Sequence, residues 1–153
     1  MSYRVRRSRL EPGPRFRLGE EFYKKIVEGQ PNDILLFLQE EHFKGLLSGF
    51  NRSSLRKVHS VVTETLQEVL RGFSQVTERP ELKRNLELLA TRTKIILQYQ
   101  SNRGLANHEV VYAINKCFDE LINALRKTDC EKSRKLANQM LLAMDALVAF
   151  WRG

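Results

Sequence analysis

The sequence predicts an all-α fold: a compact bundle of five to six helices over residues 18–153, preceded by a basic arm over residues 1–17. Three observations carry this. Apolar residues recur at spacings of three and four over long stretches, which is the period of one helix face. After Leu18 only Pro31 and Pro80 interrupt, and both stand where helices can begin, because a first-turn N–H has no intrahelical partner to lose. No strand-like alternation lasts long enough to compete.

The elements follow in chain order. Met1 to Arg17 contains Pro12-Gly13-Pro14 and almost no periodic apolar residues, so it reads as an extended or disordered arm. Gly19 to Glu28 is short and amphipathic, with Phe22, Tyr23, Ile26 and Val27 on one side. Pro31 to His42 follows, carrying Ile34, Leu35, Phe37 and Leu38, and then Phe43, Leu46, Leu47 and Phe50 lead through Gly45 and Gly49. Ser53 to Gln75 opens after Asn51 or Ser53, either of which can accept free amide protons as an N-cap. Its Leu55, Val58, Val62, Leu66, Val69 and Phe73 form one stripe. Pro80 to Gln100 puts Leu82, Leu86, Leu89 and Ile96 on one stripe and Leu88, Ile95 and Tyr99 on its neighbour. Asn107 to Lys127 places Val111, Ile114, Phe118, Leu121 and Leu125 on one face. Asp129 to Trp151 carries Leu136, Met140, Met144, Leu147 and Trp151, with Ala137, Leu141 and Val148 beside them, an apolar surface wide enough for packing on two sides.

At 153 residues, 42% hydrophobic and 29% charged, the chain reads as one globular domain. No apolar run approaches the ~20 residues that span a bilayer. The first residues are basic but lack the apolar stretch of a secretory signal. Cys117 and Cys130, with no Cys-x-x-Cys pair, exclude a disulfide scaffold and a cysteine-based zinc site. The expectation is a cytoplasmic protein without a cofactor.

The net charge of +8 is unevenly spread. Met1 to Arg17 carries +5, Leu18 to Glu41 carries −4, and His42 to Gly153 carries +7. A basic arm and a mostly basic body suit a polyanionic partner. Around the helix starts, Arg52, Arg56 and Lys57 lie in Gly49 to His59 without an acid. Arg52, Arg56 and Ser60 share a face, and Lys83, Glu87, Thr91, Lys94 and Gln98 form a similar row. Such rows hold phosphates without reading bases, or else are solvated faces with i,i+4 pairs.

Catalytic signatures are sparse. There is no Gly-rich phosphate loop, Gly-x-Ser-x-Gly elbow or His-Glu-x-x-His pair. His42, His59 and His108 are too scattered to make a metal set with the cysteines. Cys117 falls beside the Ile114 and Phe118 stripe and reads as a buried thiol, while Cys130 stands at a helix start. Arg52 with His59 and Arg103 with His108 have the Arg-then-His spacing of small helical ribonucleases of the HEPN class, in which a near-neutral imidazole beside a cation acts on a phosphate. A helical oligomerisation adaptor with merely solvated basic faces is a third reading.

Three stretches in register, spanning about Phe43 to Trp151, resemble the small subunit of type III-A CRISPR interference (Csm) complexes. They are Gly49-Phe-Asn-Arg-Ser-Ser-Leu-Arg-Lys-Val58, Leu89-Ala-Thr-Arg-Thr-Lys-Ile-Ile-Leu-Gln-Tyr-Gln-Ser-Asn-Arg103 and Ala143-Met-Asp-Ala-Leu-Val-Ala-Phe150. The first differs from the family pattern at Asn51-Arg52, where two threonines are expected, and the arm has no counterpart. The resemblance implies an all-helical, non-catalytic subunit that stacks with copies of itself and with other subunits of a ribonucleoprotein. It lines the groove holding guide RNA and target RNA in antiviral defence. It also implies that Arg52, Arg56, Lys94 and Arg103 touch RNA, with Leu147, Val148 and Phe150 filling the bundle. The surface argument adds Lys57 and Arg92. A subunit of this kind contacts phosphate and sugar and leaves sequence choice to base pairing.

Overall fold

The computed structural model describes residues 15–76 and 78–151. Among them the chain forms six α-helices and no strand. The order is α1 (Arg17–Glu28), α2 (Pro31–Gln39), a 3-10 segment (Glu41–Leu47), α3 (Arg52–Gly72), a 3-10 turn (Phe73–Gln75), α4 (Pro80–Asn102), α5 (His108–Arg126) and α6 (Cys130–Phe150). This is the all-helical bundle that the periodicity predicts. Of the predicted arm, residues 1–14 lie outside the described residues, while Arg17 already opens α1 and the Phe16 ring stacks on Tyr112 at 4.6 Å.

Local chemistry sets the helix starts. Pro31 and Pro80 each take a first-turn position. Before α3, Asn51 accepts from the Ser54 amide at 2.7 Å while Ser54 Oγ accepts from the Asn51 amide at 2.9 Å, a reciprocal cap that selects Asn51 over Ser53. Asn107 accepts from the Glu109 and Val110 amides to open α5, and Asp129 accepts from Lys132 to open α6. α2 stops at Gln39 instead of running to His42, because the backbone turns extended at Glu40. That turn lets Leu46 come back into the core, fully buried.

α5 and α6 form the centre. Ile114, Phe118, Leu121 and Leu125 of α5 are fully buried, and α5 packs against α1, α4 and α6. α6 packs against α2, α3 and α5 and buries Ala137, Met140, Ala143, Met144 and Leu147, as its wide apolar surface predicts. Buried Gln139 ties it to α1 by donating to the carbonyls of Ile26 at 3.0 Å and Gly29 at 2.8 Å. α1 lies so close to α5 that a Cβ on Gly19 would stand 2.6 Å from the Glu109 carbonyl oxygen, and the Gly19 amide donates to Glu109 Oε1 at 2.7 Å. The Lys116 ammonium is held by Glu20 at 2.9 Å and lies 4.3 Å from the Tyr23 ring centroid.

α4 departs from its predicted stripe. The residues it buries are Leu86, Ala90, Thr93, Leu97, Gln100 and Ser101, whereas Ile96 is exposed. Small and polar side chains bring the helices together here: Thr65 and Thr93 share a buried hydrogen bond of 2.6 Å between α3 and α4, and Leu86 packs over Gly72. A stripe read from large apolar residues misses such a contact. Val148, expected to fill the bundle, is also exposed, while Leu147 is buried.

Candidate nucleic-acid interface

The six expected RNA contacts fall in two places. Arg52 occupies the first position of α3, directly after the Asn51 cap, with Arg56 and Lys57 one turn further, and all three are exposed. Arg92 is exposed on α4. Arg103 ends α4, its guanidinium 5.4 Å from the Tyr99 ring centroid and donating to the Tyr99 hydroxyl at 3.1 Å. Arg52, Arg56, Lys57 and Arg92 make no ion pair with any described residue.

The Thr65–Thr93 and Gly72–Leu86 contacts fix the antiparallel register of α3 and α4. Running it back along both helices sets Arg56 level with Asn102 and Arg103, so the start of α3 and the end of α4 form one end of a helical hairpin. Arg92 is level with Leu66, about 15 Å along the hairpin from Arg56 at 1.5 Å per residue. Residues 42–63 and 88–108 contain no Asp or Glu, and the register lays 56–63 of α3 beside 95–102 of α4, so that the facing parts of both stretches are free of acid. Beyond them Glu64 and Glu68 return negative charge to α3.

Lys94 does not join this surface. It turns to α5 and is ion-paired with Asp119. Of the rest of its predicted row, Thr91 and Gln98 bond within α4, to the Glu87 carbonyl and to Asn102, while Glu87 and Lys83 are likewise bound into the α4–α5 seam. Glu87 accepts two hydrogen bonds from the Arg126 guanidinium at 2.6 and 2.9 Å, and Lys83 donates to the Arg126 carbonyl and Thr128. The guanidinium holds the Glu87 carboxyl below the usual carboxylate range. The row is therefore a seam between helices and not a phosphate track.

Neither Arg-His spacing becomes a shared site. His59 Nε2 meets Asp145 of α6 at 2.9 Å. His108 Nδ1 is bonded to Ser101 Oγ on the wall of a cavity of 620 Å³ between α4 and α5, which Arg103 does not line. Burial raises the Cys117 thiol well above its ordinary range, in keeping with a structural residue. No three His, Cys, Asp or Glu side chains gather as a metal site among the described residues, and no helix there is long and apolar enough to cross a membrane.

Sequence reasoning missed the outer face of α4. Leu88, Ile95 and Tyr99 are 56, 63 and 55% exposed, and with Arg84, Arg92 and Arg103 they make one outward row. The signal was present: 88, 95 and 99 repeat at helical period beside the arginines, but apolar periodicity alone cannot say which stripe faces the core. Of the aromatics that would favour an adaptor if exposed, Phe22 and Phe37 are buried and Tyr23 is half-buried. Compared with known proteins, the chain matches no family model, no curated protein and no solved structure.

Proposed function

We propose that this chain is a non-catalytic subunit that holds single-stranded RNA by sequence-independent contacts. In its finer form, it is the small subunit of a type III-A CRISPR ribonucleoprotein, lining the groove for guide and target RNA. The observation that supports the reading is the acid-free end of the α3–α4 hairpin, with Arg52, Arg56, Lys57 and Arg103 around it and Arg92 exposed further along α4, level with Leu66. Unpaired guanidiniums release counterions from phosphates, and an exposed Tyr99 with its arginine offers a base a stacking surface. Leu88 and Ile95, further along α4, supply apolar area for neighbouring subunits or for copies of the chain.

The test is binding of a fluorescent single-stranded RNA, followed across salt concentration, with the chain alone and in the assembled complex. Replacing Arg56 and Arg103 by alanine should weaken binding equally for unrelated sequences and flatten the salt dependence by about 0.7 per lost phosphate contact. Unchanged affinity and slope would remove the assignment. The adaptor reading is favoured by one observation, the aliphatic exposure of Leu88 and Ile95. It predicts self-association that RNA leaves unchanged and that Ile95→Glu abolishes.

A further inference from the structure

α4 packs against α3 on one flank and α5 on the other, and its outward side stays exposed. Four of the six large apolar residues exposed among the described residues stand on this helix: Leu88, Ile95, Ile96 and Tyr99. The other two, Leu36 and Val148, are divided between α2 and α6. Apolar area gathered on one helix marks a contact surface, whereas single exposed residues are ordinary.

Spacing and charge say what fits there. Leu88, Arg92, Ile95 and Tyr99 are four, three and four residues apart, the repeat of a seam that a second helix fills by lying alongside. The seam runs about 16 Å at 1.5 Å per residue. Leu88, Ile95 and Ile96 have no π face for a base to stack on, so RNA finds its foothold at Tyr99 and not along the row. Arg84, Arg92 and Arg103 flank the row and make no ion pair with any described residue. Glu87, Asp119 and Glu68 are held by Arg126, Lys94 and Arg71, which leaves Glu64 of α3, bonded to Ser60, against three arginines. From Arg84 to Arg103 no exposed residue of α4 is acidic. A second copy laid antiparallel on the row would bring three arginines from each α4 together without an acid from either, and like charges oppose that contact.

We propose that this row docks an acidic amphipathic helix of another protein subunit, with leucine-like residues on its seam and Asp or Glu on its flanks. The inference rests on the RNA reading, in which other subunits surround this chain, and it names the chemistry of one of them. Leu88, Ile95 and Ile96 supply the apolar contact. Arg92, in the middle of the seam, selects the partner: once covered, its guanidinium requires a facing carboxylate, because a buried charge left unpaired is costly. A helix with Lys or Arg at that place is rejected by the same charge.

The probes are two synthetic three-heptad peptides with leucine at a and d, one carrying glutamate at e and g and the other lysine. Like charges at e and g keep each from pairing with itself. In calorimetric titration of the full chain, the glutamate peptide should bind about tenfold or more tighter than the lysine peptide. Leu88→Ser with Ile95→Ser, at exposed positions outside the core, should weaken it about tenfold or more, and Arg92→Glu should reverse the preference. RNA affinity and its salt slope should be unchanged in the serine pair. No heat with the glutamate peptide, or equal binding of both, would overturn the docking site while leaving the RNA reading to its own titration. RNA affinity lost in the serine pair would give the row to RNA. Self-association of the unaltered chain that the serine pair abolishes would give it to a second copy, and either result overturns the proposal.

Discussion

The two flanks of α4 use the same kinds of residue to opposite ends. Towards α3 the contact is made by small and apolar side chains, with Thr65 and Thr93 bonded to each other and Leu86 over Gly72, and the cations at its end stand free. Towards α5 the contact is polar: Lys83, Glu87 and Lys94 are all bound to groups on or just after α5, and a cavity remains between the helices. Arg92 and Lys94 are two residues apart, yet one faces solvent without a partner and the other is neutralised by Asp119. Counting basic residues along a helix therefore overstates the charge available to a polyanion. What matters is which flank each one falls on.

The comparison breaks most severely at Leu97, fully buried where α4 meets the core. Leu97→Ala should destabilise the fold by about 2–5 kcal/mol, read from denaturant unfolding, because it loses transfer free energy and opens a cavity under both flanks. RNA binding sharpens the comparison next. Arg56→Ala with Arg103→Ala should cost about tenfold or more in RNA affinity, whereas Lys83→Ala with Arg126→Ala, an equal loss of charge from the seam, should leave affinity and salt slope nearly unchanged. Equal effects of the two pairs would show that net charge alone governs binding.

A smaller effect tests the dry flank. Thr65→Val should cost about 1 kcal/mol in a thermal melt, since Thr93 keeps its bond to the Leu89 carbonyl and only one buried bond is lost. The smallest effect is electrostatic. The hydrogen bond from Lys116 holds the Glu20 carboxyl below its ordinary range, aided by Tyr112, even though burial pushes it upward. A depressed carboxylate contributes stability that is present above its unfolded value, about 4.3, and lost as pH falls through the folded one. Thermal melts between pH 7 and pH 3 should therefore fall less steeply for Glu20→Gln than for the unaltered protein. An equally steep fall would assign the acid sensitivity to other carboxylates, Glu87 among them.

The helices were legible because their signals are local. Pro31, Asn51, Pro80, Asn107 and Asp129 each mark a start within one or two residues, and the stripes of α3, α5 and α6 are the ones buried. α4 was not legible in the same way. It carries two competing apolar stripes, and the core takes Leu86 from one of them but otherwise closes on Ala90, Thr93 and Leu97. The end of α2 was missed for a related reason, since its apolar residues continue past the point where the chain must turn to bring Leu46 inside. At the candidate interface, exposure of Arg52, Arg56 and Lys57 follows from their position off the α3 stripe, whereas the fate of Lys94 depends on Asp119, twenty-five residues away.

By itself, then, the sequence determined an all-helical chain, the places where its helices begin, and two stretches, 42–63 and 88–108, empty of acid. Helical period, capping and charge are properties of neighbours along the chain. Only the tertiary structure decided that 56–63 and 95–102, within those stretches, lie side by side, that Lys94 belongs to the seam, and that Leu88, Ile95 and Tyr99 face outward. These outcomes turn on which of several similar helix faces pack together, and that choice is settled by side-chain shape and pairing between segments far apart in sequence.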